Sequence, residues 1–367
     1  MSRLARCEVF SHDEVAVVHV CCRVVRRCFL MGRDRQSGKN YDHRKDQIEA
    51  MLAHFARYFG IDLIAHSILS NHYHLVLRSR PDVVETYRDE EVARRWLMIC
   101  PLRKDRNDRP AEPTEKELRS ITGCPVKLAE VRRRLSDISW WVKLLNQRIG
   151  RAANREDNCS GHFWQGRYTA TRLLDEASVL ACCLYVDLNP IRAAIADSVE
   201  SQPHTSIARR LQAARQGDND KPNPPSSRQT PDDVERLTAK DFAAMLSPLK
   251  IEESGGEVGA VPNTEGVRCS DKGVLPIGLS DYAALADHLA RKHLGGKRGL
   301  TPECLPNVLT RIGLLAEELS ALVGEFGRLF GPVAGRPASI AVYRGRRTGR
   351  RYRVRRRLRE VVRPADD

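Results

Sequence analysis

The feature that most constrains this chain is the way its hydrophobic period changes between Val15 and Arg78. Val15 to Val25 (VAVVHVCCRVV) is dense in β-branched residues and predicts a buried strand. After a polar loop containing Gly32 and Gly38, the apolar residues Ile48, Met51, Leu52, Phe55, Tyr58 and Phe59 recur at helical spacing. That spacing predicts an amphipathic helix over 42–59, stopped by Gly60. Ile61 to Leu69 and His72 to Arg78 then predict two more strands joined by a tight turn at Ser70-Asn71. A strand, a helix and a hairpin in that order point to an α+β layer, with helices packed on a mostly antiparallel sheet.

Residues 82–135 interrupt this pattern and read as a helical insertion. Glu85–Ile99 and Thr114–Ser120 are its predicted helices, and Pro101, Pro110 and Pro113 among charges suggest an exposed excursion. Ser136–Ile149 predicts another amphipathic helix, Gly166–Leu173 a short strand, and Asp175–Leu188 a helix ended by Pro190. The stretch 218–227 is rich in Asp, Asn, Pro and Ser, and 254–271 is a second weak patch. The expected organisation is therefore a domain over 1–200, mostly linker over 201–275, a small helical module over 276–343 and an Arg-rich tail over 344–367.

The net charge of +14 points to a polyanionic partner. More than half of the excess lies in the tail, where eleven arginines face Glu360, Asp366 and Asp367. Arg350, Arg351, Arg355, Arg356 and Arg357 are its candidate phosphate contacts, with salt-sensitive binding expected. No run of eighteen apolar residues predicts a membrane span, and the N-terminus lacks the pattern of a secretory signal. The 11 cysteines are dispersed without a CxxC pair, which argues against a zinc ribbon or disulfide framework and for reduced thiols in the cytoplasm. No P-loop signature predicts a nucleotide cofactor.

Three short segments carry the candidate chemistry. His72 and His74 flank Tyr73 in a strand, so both imidazoles project from one face and can reach one metal ion; HxH is common, and on spacing alone two solvent-facing or hydrogen-bonded histidines are the plainer alternative. Tyr185 and Asn189 in LYVDLNPIRAA are one helical turn apart, which sets a phenol beside an amide oxygen. A core tyrosine and a helix-ending asparagine are the plainer alternative. In GHFWQGRY, Phe163, Trp164 and Arg167 suit stacking on a single strand, or else the aromatics anchor the loop in the core.

Together these segments resemble the REP-associated tyrosine transposases, a single-tyrosine HUH family. LIAHSILSNHYHLVL resembles the family's strand with Asn-His-x-His-Leu, and FWQGRY followed by YVDLNPIRAA resembles its later block. The resemblance spans about residues 10–200; Ser70 replaces the Pro common before Asn-His, and the insertion at 82–135 is larger than in short relatives. It implies a ferredoxin-like antiparallel sheet with helices on one face, the HUH nuclease fold. It implies His72, His74 and Asn189 as ligands of Mg²⁺ or Mn²⁺, and Tyr185 as the nucleophile. The implied activity is nicking and strand transfer on single-stranded or hairpin DNA through a 5′-phosphotyrosine link, by a monomer or homodimer, without ATP. Two rivals remain at this stage. One is a nucleic-acid-binding protein that has lost the chemistry. The other is a hydrolase pairing the histidines with Asp187, in which Tyr185 is dispensable. For the phenol proton, a metal, a water or Lys143 are candidates.

Overall fold

The computed structural model describes residues 9–25, 28–34, 37–106, 108–201, 203–216, 238–251, 259–293, 309–310, 312–346 and 354–362. Among them the predicted alternation appears as β1 (Val17–Arg23), α1 (His43–Tyr58), β2 (Ile61–Ile68) and β3 (His72–Ser79). Helices α2 (Pro81–Glu85), α3 (Asp89–Ile99), α4 (Glu115–Thr122), α5 (Pro125–Leu135) and α6 (Ile138–Glu156) lead to β4 (Thr169–Leu173). Helices α7 (Glu176–Asp187), α8 (Asn189–Arg192), α9 (Ser206–Arg215), α10 (Ala239–Ala244), α11 (Leu279–His293) and α12 (Ala316–Leu329) follow. The chain then adds β5 (Val333–Ala334), α13 (Pro337–Gly345) and α14 (Arg356–Val361).

One five-stranded sheet runs in the order β2-β3-β1-β4-β5. Its first four strands pair antiparallel, and β5 pairs parallel with β4. The register of β1 on β3 sets Cys21 opposite His74 and Val20 opposite Leu75. Alternation then divides the sheet cleanly. Val18, Val20, Leu75 and Leu77 point into a core shared with α1 and α6. Ala65, Val76 and Leu173 point into a second core formed with α7, α11 and α12. Helices thus cover both faces, which corrects the expectation of helices on one face. The physical reason is visible along β2 and β3, where every residue is buried, so neither face is left to solvent.

The insertion is docked rather than an exposed excursion. Val92, Ala93, Trp96 and Leu97 of α3 and Val131 and Leu135 of α5 join the core of α1 and α6. The helix expected over 85–99 is broken at Thr86–Arg88, and α5 starts on Pro125 at its first turn, where the missing amide costs nothing. Helix α6 runs past its expected end through Gly150 to Glu156. A Cβ at Gly150 would stand 3.3 Å from that of Phe163, so the glycine lets the 161–168 loop press against the helix.

The C-terminal half is not an appendage. Helix α9 lies in the span expected to be linker, with Ile207 and Ala208 buried, while 218–227 lies outside the described residues. Helices α11 and α12 share their core with α7, so they continue the domain. A buried polar knot fastens the two halves. Asp62 accepts from Arg78 Nε at 2.8 Å and from Ser270 N at 3.1 Å, and Arg80 Nη1 lies 3.3 Å from it. Arg78 also donates to the carbonyls of Gly273 and Lys272, at 2.9 and 2.6 Å.

Candidate active site

His72 and His74 lie on the face of β3 that α7 crosses, alongside Cys21 of β1. Helix α7 begins with a capping box between Asp175 and Ser178 and is apolar on all sides, so it is buried almost completely. It ends at Asp187, and Asn189 opens α8 with Pro190 in its first turn. Leu188 between them keeps a near-helical backbone (φ −87°, ψ 0°), so Asn189 still falls one turn beyond Tyr185.

The side chains converge. The Asn189 amide nitrogen lies 3.0 Å from His74 Nε2. The Tyr185 ring meets His74 edge-on, with centroids 5.6 Å apart, and the two imidazoles of β3 are 5.0 Å apart at 80°. His72 Nδ1 lies 2.6 Å from Asn71 Oδ1, which leaves its Nε2 toward the site. His19 of β1 enters the same cluster, with Nε2 2.9 Å from His74 Nδ1. Sequence reading missed His19, although it is the one polar side chain inside VAVVHV and strand alternation sets it on the face of Cys21.

Burial controls the protonation of this cluster. It depresses His72 to about 3 and His19 to about 4, and pushes His74 well below its ordinary value. All three imidazoles are therefore neutral near pH 7, the form that binds metal. Burial also raises the Tyr185 phenol, opposed by the Arg192 guanidinium 4.9 Å above its ring. Helix α12 covers the tyrosine. Phe326 stacks on it at 5.2 Å and 25°, and Arg192 donates to the carbonyls of Val323 and Gly324.

Other sequence candidates fall elsewhere. Asp187 is committed to Ser206 Oγ (2.6 Å), Ile207 N (3.1 Å) and Tyr282 Oη (2.6 Å), so it anchors α9 and α11 rather than pairing with the histidines. Lys143 projects from α6, on the opposite side of the sheet, over the Trp140 ring at 4.1 Å. Phe163 is buried, and Trp164 gives its indole N–H to the Asn146 carbonyl at 2.8 Å. Phe163 thus anchors the loop in the core and is not an exposed stacking platform. Trp164 and Arg167, with Phe163 at its floor, border an open groove of about 480 Å³ that Arg151 and Asn154 of α6 also line.

Part of the tail is folded. Leu358 of α14 is buried against the core of α12, and Arg357 pairs with Glu325 at 2.8 Å. Arg355 donates to the Arg328 carbonyl, while Arg356 stays exposed beside Glu360 at 3.2 Å. Arg350 and Arg351 lie outside the described residues.

A second polar cluster was not foreseen: Asp46, Glu49 and His204 bring ligand-type atoms close enough to hold a metal ion. Its parts already satisfy one another. Glu49 holds Arg209 through both oxygens, at 2.8 and 2.6 Å, and His66 at 3.1 Å, while His204 Nε2 lies 2.6 Å from Asp46. Burial raises the Glu49 carboxyl, but the Arg209 and His66 bonds outweigh it and hold it at about 2. A folded value below the unfolded one of 4.5 stabilises the protein above the unfolded value. This contribution, about 3 kcal/mol, should be lost as pH falls from about 5 to about 2. The measurement is urea unfolding of wild type and Glu49→Gln across that range. The gap between them should shrink with acid, and a gap independent of pH would contradict the assignment.

No helix among the described residues is long and apolar enough to cross a membrane. No protein-family profile matches the chain, and no curated protein matches it. Among solved structures, a REP-associated tyrosine transposase bound to a REP hairpin aligns over 55% of this chain and 81% of its own, at 12% identity and a TM-score of 0.31. That is a distant structural likeness, and the chemistry of the site stands on its own geometry.

Proposed function

We propose that the protein nicks and rejoins single-stranded DNA as a tyrosine transposase of the HUH type. The observation that carries this reading is the meeting of Tyr185 and Asn189, from α7 and α8, with His74 of β3, more than a hundred residues earlier in the chain. The sheet supports it, since a strand order of β2-β3-β1-β4 with antiparallel pairing is that of a ferredoxin-like split βαβ unit.

The donors fit a divalent ion. His72 and His74 each have Nδ1 engaged by a protein partner, which leaves both Nε2 atoms for ligation, and Asn189 adds an amide oxygen when its amide is turned. Two neutral nitrogens and one oxygen leave positions for phosphate oxygens and suit Mg²⁺ or Mn²⁺ in function, with tighter binding expected for Zn²⁺. When bound, such an ion would offset charge on the phosphate and ease loss of the phenol proton.

In the reaction, the Tyr185 phenolic oxygen forms a bond to phosphorus as the bond from phosphorus to the 3′ oxygen breaks. The phenol gives up its proton and the leaving 3′ oxygen gains one. The link conserves the phosphodiester energy, so a 3′-hydroxyl can reverse it without ATP. Asn71 keeps His72 oriented through its Nδ1, and Arg192 over the ring favours the phenolate. Arg167, exposed on the 161–168 loop, and the exposed Arg356 are the proposed phosphate contacts.

The test is to incubate the protein with end-labelled hairpin DNA and Mn²⁺ and to resolve the products on a denaturing gel. The expected result is a labelled protein–DNA adduct that disappears with a chelator. Cleavage without adduct would move the protein to the hydrolases, and tight binding without cleavage to the non-catalytic binding proteins.

A further inference from the structure

We infer that His19 is a positioning residue that holds His74 in the tautomer able to ligate metal. The inference rests on the metal reading of His72 and His74 above. His19 sits in the middle strand of the sheet, paired with Val76 on β3 and Thr171 on β4. The His19 and His74 rings are tilted by only 9°, with centroids 5.1 Å apart. Combined with an Nε2 to Nδ1 distance of 2.9 Å, that separation describes two rings edge to edge in one plane, joined by an in-line N–H···N bond, and not a stack.

One proton occupies that bond, and its origin decides what His74 can do. A neutral imidazole has one N–H and one lone pair. If His74 Nδ1 is the donor, its Nε2 carries the lone pair and faces Asn189 at 3.0 Å, ready to bind an ion. If His19 Nε2 is the donor, His74 must carry its proton on Nε2 and cannot ligate. His19 therefore has to act as acceptor, with its own proton on Nδ1.

The surroundings fix its ring for this role. Tyr185 and Phe326 both meet His19 edge-on, at 5.9 Å and at 87° and 89°, so neighbours from α7 and α12 restrict rotation of the imidazole. An imidazole buried in a strand whose other buried residues are Val18, Val20 and Cys22 is costly to desolvate. A phenylalanine would fill the space at less cost, and would supply no acceptor. Outer partners of metal-bound histidines commonly change metal affinity about 10–100-fold when removed.

The experiment uses the full chain, labelled with ¹⁵N at histidine, as wild type, His19→Phe and His19→Gln. The glutamine keeps a carbonyl acceptor near the same place and serves as the rescue. Two readouts are taken: the ¹⁵N signature of the His74 tautomer without metal, and Mn²⁺ affinity from the electron paramagnetic resonance of the free ion. Wild type should hold His74 protonated on Nδ1. His19→Phe should lose that preference and bind Mn²⁺ about 10–100-fold more weakly, with His19→Gln in between. An Nε2-protonated His74 in the wild type would overturn the inference, as would a folded His19→Phe with unchanged tautomer and affinity. The tautomer readout needs no metal. It decides the role of His19 even where the wild type takes up no Mn²⁺, a result that would sink the metal reading instead.

Discussion

Tyr185→Phe should abolish the covalent protein–DNA adduct and lower strand cleavage by more than about a thousandfold. The substitution removes one oxygen and little else. The ring stays stacked on Phe326 and edge-on to His74, and among the described residues the hydroxyl makes no hydrogen bond whose loss would unsettle the fold. The thermal midpoint and the affinity for hairpin DNA should therefore stay close to wild type. That separation is what gives the measurement its force. With folding and binding intact, the loss of reaction can only belong to the missing nucleophile. Persistence of the adduct in Tyr185→Phe would end the case for this residue. Persistence of cleavage alone would say that the metal activates water, so that the phenol is a core aromatic after all.

The second large effect concerns stability. Asp62→Asn should cost about 3–5 kcal/mol, read as a lower urea midpoint with little change in slope. Asp62 is fully buried and faces two buried guanidiniums, Arg78 and Arg80, of which only Arg80 has a further carboxylate in Asp82. Neutralising it strands the Arg78 charge in a low dielectric. It also weakens the hold on Ser270, and thereby on the segment that ties 262–275 to β2 and β3. An exposed pair such as Arg119 with Glu115 carries no comparable weight, because water screens it. A loss below about 1 kcal/mol in Asp62→Asn would mean that water or a shifted partner replaces the carboxylate.

The two predictions mark what could and could not be read from the residues in order. Tyr185 and Asn189 were legible because local spacing is a property of the chain: four residues on a helix share a face whatever the helix packs against. The pair of histidines in β3 was legible for the same reason with period two. The break at Leu188 did not disturb this, since its backbone stays near-helical. Asp62, by contrast, looks like any charged residue in an apolar run. Its partner Ser270 is 208 residues away, and nothing local announces the contact.

Where local signals misled, a tertiary contact explains why. The insertion looked exposed because prolines and charges surround its helices, yet Trp96, Val131 and Leu135 find a core supplied by α1 and α6. Phe163 looked free to stack on bases because it sits between glycines, yet Gly150 opens a space on α6 that it fills. The basic tail read as a run of candidate phosphate contacts. Leu358 docks one turn of it on α12, and Glu325 neutralises Arg357. Asp187 offered a carboxylate to pair with the histidines, but Ser206 and Tyr282 claim it.

The sequence by itself determined the order of β1, α1, β2, β3, α6, β4 and α7, the face on which His72 and His74 project, and the one-turn spacing of Tyr185 and Asn189. These depend on periods of two and 3.6 residues, which are written into neighbouring positions. Only the tertiary structure decided that those two faces meet, that His19 joins them, and that helices cover both sides of the sheet with α12 lying over Tyr185. Each of those contacts pairs residues dozens to hundreds of positions apart, and such pairings are fixed by what fits in a shared core, not by any local pattern.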